Sequence, residues 1–111
     1  MSRERALPEG RLEWTSFASG SPHEGVRSRR LDSEELTLIR YEFAPRASYP
    51  LHVHEHEHFI HAVEGGASVR LGSDALEVRP GDVVRVPAGV MHGITAGDQG
   101  ATLLNVGPRR S

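Results

Sequence analysis

The 111 residues carry 13 basic and 15 acidic side chains, a formal net charge of -2, 37% hydrophobic residues and no cysteine. That length makes a single domain able to bury roughly two-thirds of the surface its unfolded chain exposes; the interleaved charges exclude the basic footprint of a nucleic-acid binder, and the missing thiols exclude disulfides, thiolate metal sites and cysteine nucleophiles together. No apolar run approaches the ~18 residues of a membrane span and the N-terminus has no apolar signal core, so the chain is expected to be soluble, cytoplasmic and without a membrane partner.

In chain order, residues 1–24 are polar and interrupted by Gly and Pro, with Leu12, Trp14 and Phe17 as apolar anchors. They are expected to form a partly ordered arm laid against the body, which spans 25–108 and leaves 109–111 as a tail. Arg27, Arg29 and Arg30 cluster in "GVRSRRL" and read as a solvated strand edge. Short β-rich segments follow at 35–43, 49–54, 58–63, 67–71, 75–79, 82–87, 91–95 and 101–106. In "ELTLIRYEF" Thr37, Ile39, Tyr41 and Phe43 alternate with Leu36, Leu38, Arg40 and Glu42, as a strand with two distinct faces requires. The connectors "EGG", "GSD", "RPGD", "PAG" and "AGDQG" carry turn residues, and no segment keeps a 3.6-residue period. About eight short strands with tight turns describe an all-β, antiparallel sandwich or barrel, and a jelly roll fits the count.

Five of the seven histidines fall in "HVHEHEHFIH", 52–61. His52, His54, His56 and His58 would share one face of a continuous strand, but such a strand separates His52 from His58 by about 20 Å. Metal–nitrogen bonds of about 2.0–2.1 Å allow two ligating histidine Cα atoms to lie only about 13 Å apart. A compact site therefore needs His52 and His54 as neighbours, a turn near "EHE" and a later histidine returning on the next strand. The alternative is a loose histidine-rich ribbon. His92, in "PGDVVRVPAGVMHGI", follows a rigid turn and opens a strand, where it can converge on such a cluster.

These two stretches resemble the paired motifs of small single-domain cupins, over about residues 25 to 108. The second motif is matched by Gly81, Pro87, Gly89 and His92, with Ala96 in place of its final Asn. The first is matched by His52, His54 and Gly65, with Arg46 in place of the first Gly and His58 in place of the Glu, at the family's intervals. The resemblance implies a jelly-roll barrel (double-stranded β-helix, RmlC-like) with one divalent metal inside, held by His52, His54, His58 and His92. This all-histidine set is similar to that of the small manganese-binding cupins. A rival set using His54, His56 and His61 breaks the interval to Gly65; His56 is expected to face solvent and His61 to leave the barrel interior.

Imidazole suits Mn2+ and Fe2+, favoured here, as well as Cu2+, Ni2+ and Zn2+. Four neutral ligands leave the ion's charge uncompensated and, in an octahedral ion, two positions open for a small organic substrate with dioxygen or water. Ile60, Ala62, Phe43, Met91 and Leu104 are expected to line a mainly apolar substrate pocket. No catalytic base stands out, although Tyr41, Tyr49 and Glu57 are possible ones. The reading is a metal-dependent, dioxygenase-like oxidoreductase. A redox-neutral lyase, isomerase or cyclase and a non-enzymatic metal or ligand binder are its alternatives. Strands with apolar residues on both parities, such as "FIHAV", further predict a homodimer formed through one sheet.

Overall fold

The computed structural model describes residues 7–109; the expectations for 1–6 of the arm and 110–111 of the tail lie outside them. After a 3-10 turn at Trp14–Ser16 come β1 (Ser19–His23), β2 (Val26–Asp32), β3 (Leu36–Phe43), β4 (Ser48–His52), β5 (His58–Leu71), β6 (Asp74–Val78), β7 (Val83–Val86) and β8 (His92–Pro108). All pairings are antiparallel. Among the described residues no helix is long and apolar enough to cross a membrane.

Two of the expected turns lie inside strands. "EGG" belongs to β5 and "AGDQG" to β8, so four expected strands merge into two long ones. The glycines act there as corners: β5 and β8 pair along their whole length, with register shifts between Ala62 and Glu64 and between Gly65 and Ala67. Gly65 takes a φ of 71°, and a Cβ on it would sit 2.1 Å from the Gly100 carbonyl oxygen. Only glycine permits that approach. Beyond the corner each long strand enters a second sheet. The first sheet runs β1-β2-β3, the C-terminal half of β8, the N-terminal half of β5, then β7; the second joins β4, the N-terminal half of β8, the C-terminal half of β5 and β6. This is the jelly roll that the strand count suggested.

Inward rows of both sheets close one core around Val26, Tyr41, Phe43, Ile60, Ala62, Val69, Val84, Val86, Ile94 and Leu103. Part of the arm is built into the first sheet: β1 pairs with β2, and the Arg29 guanidinium donates to the carbonyls of Phe17 (2.6 Å) and Trp14 (3.3 Å). Arg29 is thus a clasp rather than a free surface charge. Arg46, standing where the motif has glycine, has a φ of 62°, the one positive value on a non-glycine among the described residues. The position demands the left-handed region, and this chain meets it with a strained residue.

Candidate metal centre

Three elements deliver histidines to one mouth of the barrel. His52 ends β4 and pairs with His92, which opens β8. His54 lies just past β4 rather than within it, where its carbonyl accepts from Gly89 N–H (2.9 Å) in the turn that precedes His92. A bend at Glu55 and His56 follows, fastened by the Arg85–Glu57 pair at 2.9 Å, and His58 returns as the first residue of β5. A Cβ on Gly107 would lie 3.1 Å from that of His58, so the glycine makes room for the ring.

The four rings converge. Centroids are 4.1 Å apart for His52–His92, 4.7 Å for His52–His54 and 5.2 Å for His54–His92; His58 stands 5.1 Å from His54 and 5.0 Å from His92. Ligand atoms of His52, His54 and His92 all lie within 4.8 Å of one another, and these three could hold a metal ion.

Protonation follows from the hydrogen bonds. His52 Nδ1 lies 2.8 Å from the Pro50 carbonyl and His92 Nδ1 lies 2.9 Å from the Val90 carbonyl. A carbonyl only accepts, so each Nδ1 carries the proton and each Nε2 keeps a lone pair for a ligand. The Nε2 atoms of His58 and His92 are buried without a partner. Burial, then the neighbouring His92, His54 and His52, pushes the His58 pKa down to about 4. His92 is also lowered, mainly by burial, against the opposing effect of its hydrogen bond to the Val90 carbonyl, with His52 lowering it further. Two neutral, desolvated imidazoles whose ring centroids lie 5.0 Å apart leave lone pairs unsatisfied, and a divalent ion is a group that would satisfy them. The residues present fit a metal.

The Cupin domain family model matches residues 39–107, across the two histidine motifs and the strands that carry them. The chain belongs to the cupin family. No curated protein matches this cupin in sequence. Among solved structures it is similar to an RmlC-like cupin from Shewanella frigidimarina (22% identity, 93% of each chain, TM-score 0.82). It is also similar to the polyketide cyclase RemF from Streptomyces resistomycificus (26% identity, 91% of this chain and 80% of that one, TM-score 0.79). Against oxalate decarboxylase from Bacillus subtilis (22%, TM-score 0.82) 95% of this chain aligns with 30% of that one, so the likeness is to part of a longer protein.

Beside the histidines this cupin has a cavity of about 260 Å³ lined by Arg30, Thr37, Ile39, Tyr41, His54, His58, Asn105 and Gly107, among others. The pocket expected from the sequence is placed differently. Ile60, Ala62 and Phe43 point inward but are buried in the core, away from this opening. Met91 is 49% exposed. Leu104 pairs across to Arg40 and His61 in the half-buried outer row, because the inward residues of that stretch of β8 are Leu103 and Asn105. His56 is exposed at the rim, and His61 shares the outer row with Leu104.

Of the candidate bases, Tyr41 is buried and packed against Tyr49, which raises its pKa and keeps it protonated at neutral pH. Glu57 is engaged by Arg85. Tyr49 packs between the rings of His23 (4.4 Å) and His52 (4.7 Å), where it supports a candidate ligand. The lining residues Thr37, Arg30, Asn105 and Gly107 had no motif to mark them. Only the inward parity of β2, β3 and β8, fixed by pairing, brings them together.

Proposed function

We propose that this cupin is a metal-dependent enzyme that holds one divalent transition ion on His52, His54, His58 and His92 and acts on a small organic substrate in the adjoining cavity. The observation that carries the reading is the pair of buried, unpartnered Nε2 atoms of His58 and His92, on rings that cluster with those of His52 and His54, where ligand atoms of His52, His54 and His92 lie within 4.8 Å of one another. When bound, such an ion supplies Lewis acidity with its charge undiminished by any carboxylate ligand. Mn2+ is the first candidate and Fe2+ the second; a structure of the oxalate decarboxylase of similar fold concerns its Mn(II) centres.

The reaction we propose is oxidative and dioxygenase-like. At the cavity Tyr41 stays protonated, the Thr37 hydroxyl donates to Asp32 and Glu57 is paired with Arg85, while His56 lies at the exposed rim. Activation of a dioxygen co-substrate would need no proton abstraction by a side chain. A redox-neutral cyclase, lyase or isomerase is the second reading, favoured by the 26% identity to a polyketide cyclase.

Elemental analysis tests the site. His58→Ala and His92→Ala should lose the ion, whereas His56→Ala and His61→Ala should keep it; full occupancy in His58→Ala would refute the ligand set. Oxygen-electrode assays of Mn- and Fe-loaded protein with enols, diketones and styrenes, run with and without oxygen, test the reaction. Turnover without oxygen would select the redox-neutral reading, and binding without turnover would make this cupin a ligand-binding protein.

A further inference from the structure

The three arginines clustered in "GVRSRRL" separate in the sheet. Arg27 lies 3.8 Å from Glu42 on the outer face, and Arg29 clasps the arm. Arg30 has the other parity. Its row on β2 is Val26, Ser28, Arg30 and Asp32, paired with Phe43, Tyr41, Ile39 and Thr37, the row of β3 that faces inward. Paired residues form rungs across that inner wall: Arg30, Ile39, Asn105 and Ile60 make one, and Asp32, Thr37 and Gly107 make the next, toward the mouth. An arginine in an inward row breaks the alternation that sets register elsewhere in the sheet. It is tolerated because the cavity opens there: the side chain is 50% exposed and lines the space that His54, His58 and Tyr41 also line.

Asp32 fixes which edge of the guanidinium remains. Nε of Arg30 donates to both carboxylate oxygens, at 3.1 and 3.2 Å, and the Thr37 hydroxyl donates to the same carboxylate. Burial would raise the Asp32 pKa, but the hydrogen bonds from Thr37 and Arg30 and the charges of Arg30 and Arg109 outweigh it, so Asp32 is ionised at neutral pH. The two terminal nitrogens of Arg30 donate to nothing among the described residues. A half-exposed ion pair of this kind contributes little stability by itself, and this one leaves unused the fork that matches a carboxylate. The other charges at the cavity are balanced, Arg30 by Asp32 and Glu57 by Arg85, so an ion on neutral imidazoles stands as the net charge that a substrate meets. We infer that Arg30 is a specificity-determining residue: its terminal nitrogens take the carboxylate of a small anionic substrate whose other end reaches the metal. The inference rests on the reading of the cavity as the substrate site beside the metal, and it narrows the substrates of that site to carboxylic acids. The volume of about 260 Å³ suits a small acid, since it lies below the ~300–1,000 Å³ of pockets that enclose drug-sized ligands.

Calorimetry with the monohydroxamates of malonic, succinic and glutaric acid, each against the neutral half-amide of the same length, tests this on Mn-loaded protein. The hydroxamate anchors every probe on the ion, and the three lengths cover the reach to Arg30. At least one acid should bind wild type about tenfold more tightly than its amide, the low end for a charge-assisted pair because Arg30 is half exposed, and added NaCl should shrink the advantage. In Arg30→Gln the ratio should fall to about two or less, with metal content and amide affinity as in wild type. Arg30→Lys, which keeps the charge without the fork, should give an intermediate ratio. A ratio near one at all three lengths in wild type, or the wild-type ratio retained in Arg30→Gln, would overturn the inference. Should Arg30→Gln not fold, the wild-type ratio retained in Arg30→Lys would overturn it. The metal reading fails separately, through absent metal or amides that bind chelator-treated protein equally well, and an Arg30-dependent preference for the acids would then still support the inference.

Discussion

Acidifying the metal-free chain should unfold it through His58, and the size of the effect can be worked out. The ring is 8% exposed, and its folded-state pKa is pushed down from 6.5 to about 4, by burial first and then by His92, His54 and His52. Between those two values the unfolded chain binds a proton here that the folded chain does not, so unfolding free energy rises with pH across the window. The contribution is complete above pH 6.5 and is lost progressively down to about 4. The interval corresponds to roughly 3 kcal/mol, a large share of the stability of a domain this size. His92, also lowered, adds a loss of the same sign. Urea unfolding in chelator at pH 7.5, 6.0, 5.0 and 4.5 measures the slope for wild type and for His58→Leu, which cannot take the proton. Wild type should lose about 2.5 kcal/mol more than the variant between pH 7.5 and 4.5, the remainder of the interval lying at lower pH. Parallel profiles would show that His58 is not desolvated as its surroundings require, and the case for an ion satisfying it would weaken too. Bound metal should steepen the fall, because protons compete for the ligating imidazoles.

Restoring the carboxylate with His58→Glu should keep the ion and lower the charge of the site by one; voltammetry should then give a lower reduction potential, and equal potentials would hand control of the ion to groups beyond its ligands. Gly65→Ala should destabilise by about 3 kcal/mol or more, since its Cβ would meet the Gly100 carbonyl at 2.1 Å, whereas Gly72→Ala, with open space at a φ of 60°, should lose only about 1 kcal/mol in thermal unfolding. We propose that a second copy of the chain covers the outer face of the first sheet, where Leu36, Phe59 and Val83 are 55%, 43% and 59% exposed beside half-buried Leu38, Leu104 and Val106; light scattering should give about twice the 12.2 kDa of one chain, and a monomer at micromolar concentration would refute it.

Much of this molecule is legible in the sequence because period-two alternation and turn chemistry are local. The alternation in "LTLIRYEF" separates Thr37, Ile39, Tyr41 and Phe43 from their neighbours, and the structure turns that row inward. The motif intervals place His52, His54, His58 and His92 around one mouth, although nothing local says that β4 stops at His52 and leaves His54 in the following turn. Where two glycine-rich stretches read as turns, pairing between β5 and β8 overrides them. A glycine can end a strand or bend it, and only the partner strand decides which.

The pocket was the least legible part, and the physical cause is specific. In "TLLNV" apolar residues occupy both parities, so the residues alone do not decide whether Leu103 or Leu104 faces in, and Leu104 is the one expected at the pocket. Pairing with Ile39 and Ile60 instead puts Asn105 inside and leaves Leu104 half-covered outside. A polar residue facing in beside a leucine facing out contradicts the rule that sets register elsewhere in the sheet. Folding alone gives no reason to keep it, since the inverted pair costs stability on both faces. Such local contradictions concentrate where function constrains a sequence. Here the contradiction sits one rung from His58, on the wall of the cavity, so the failure of the sequence pattern at Leu104 and Asn105 is itself an argument for where the substrate binds.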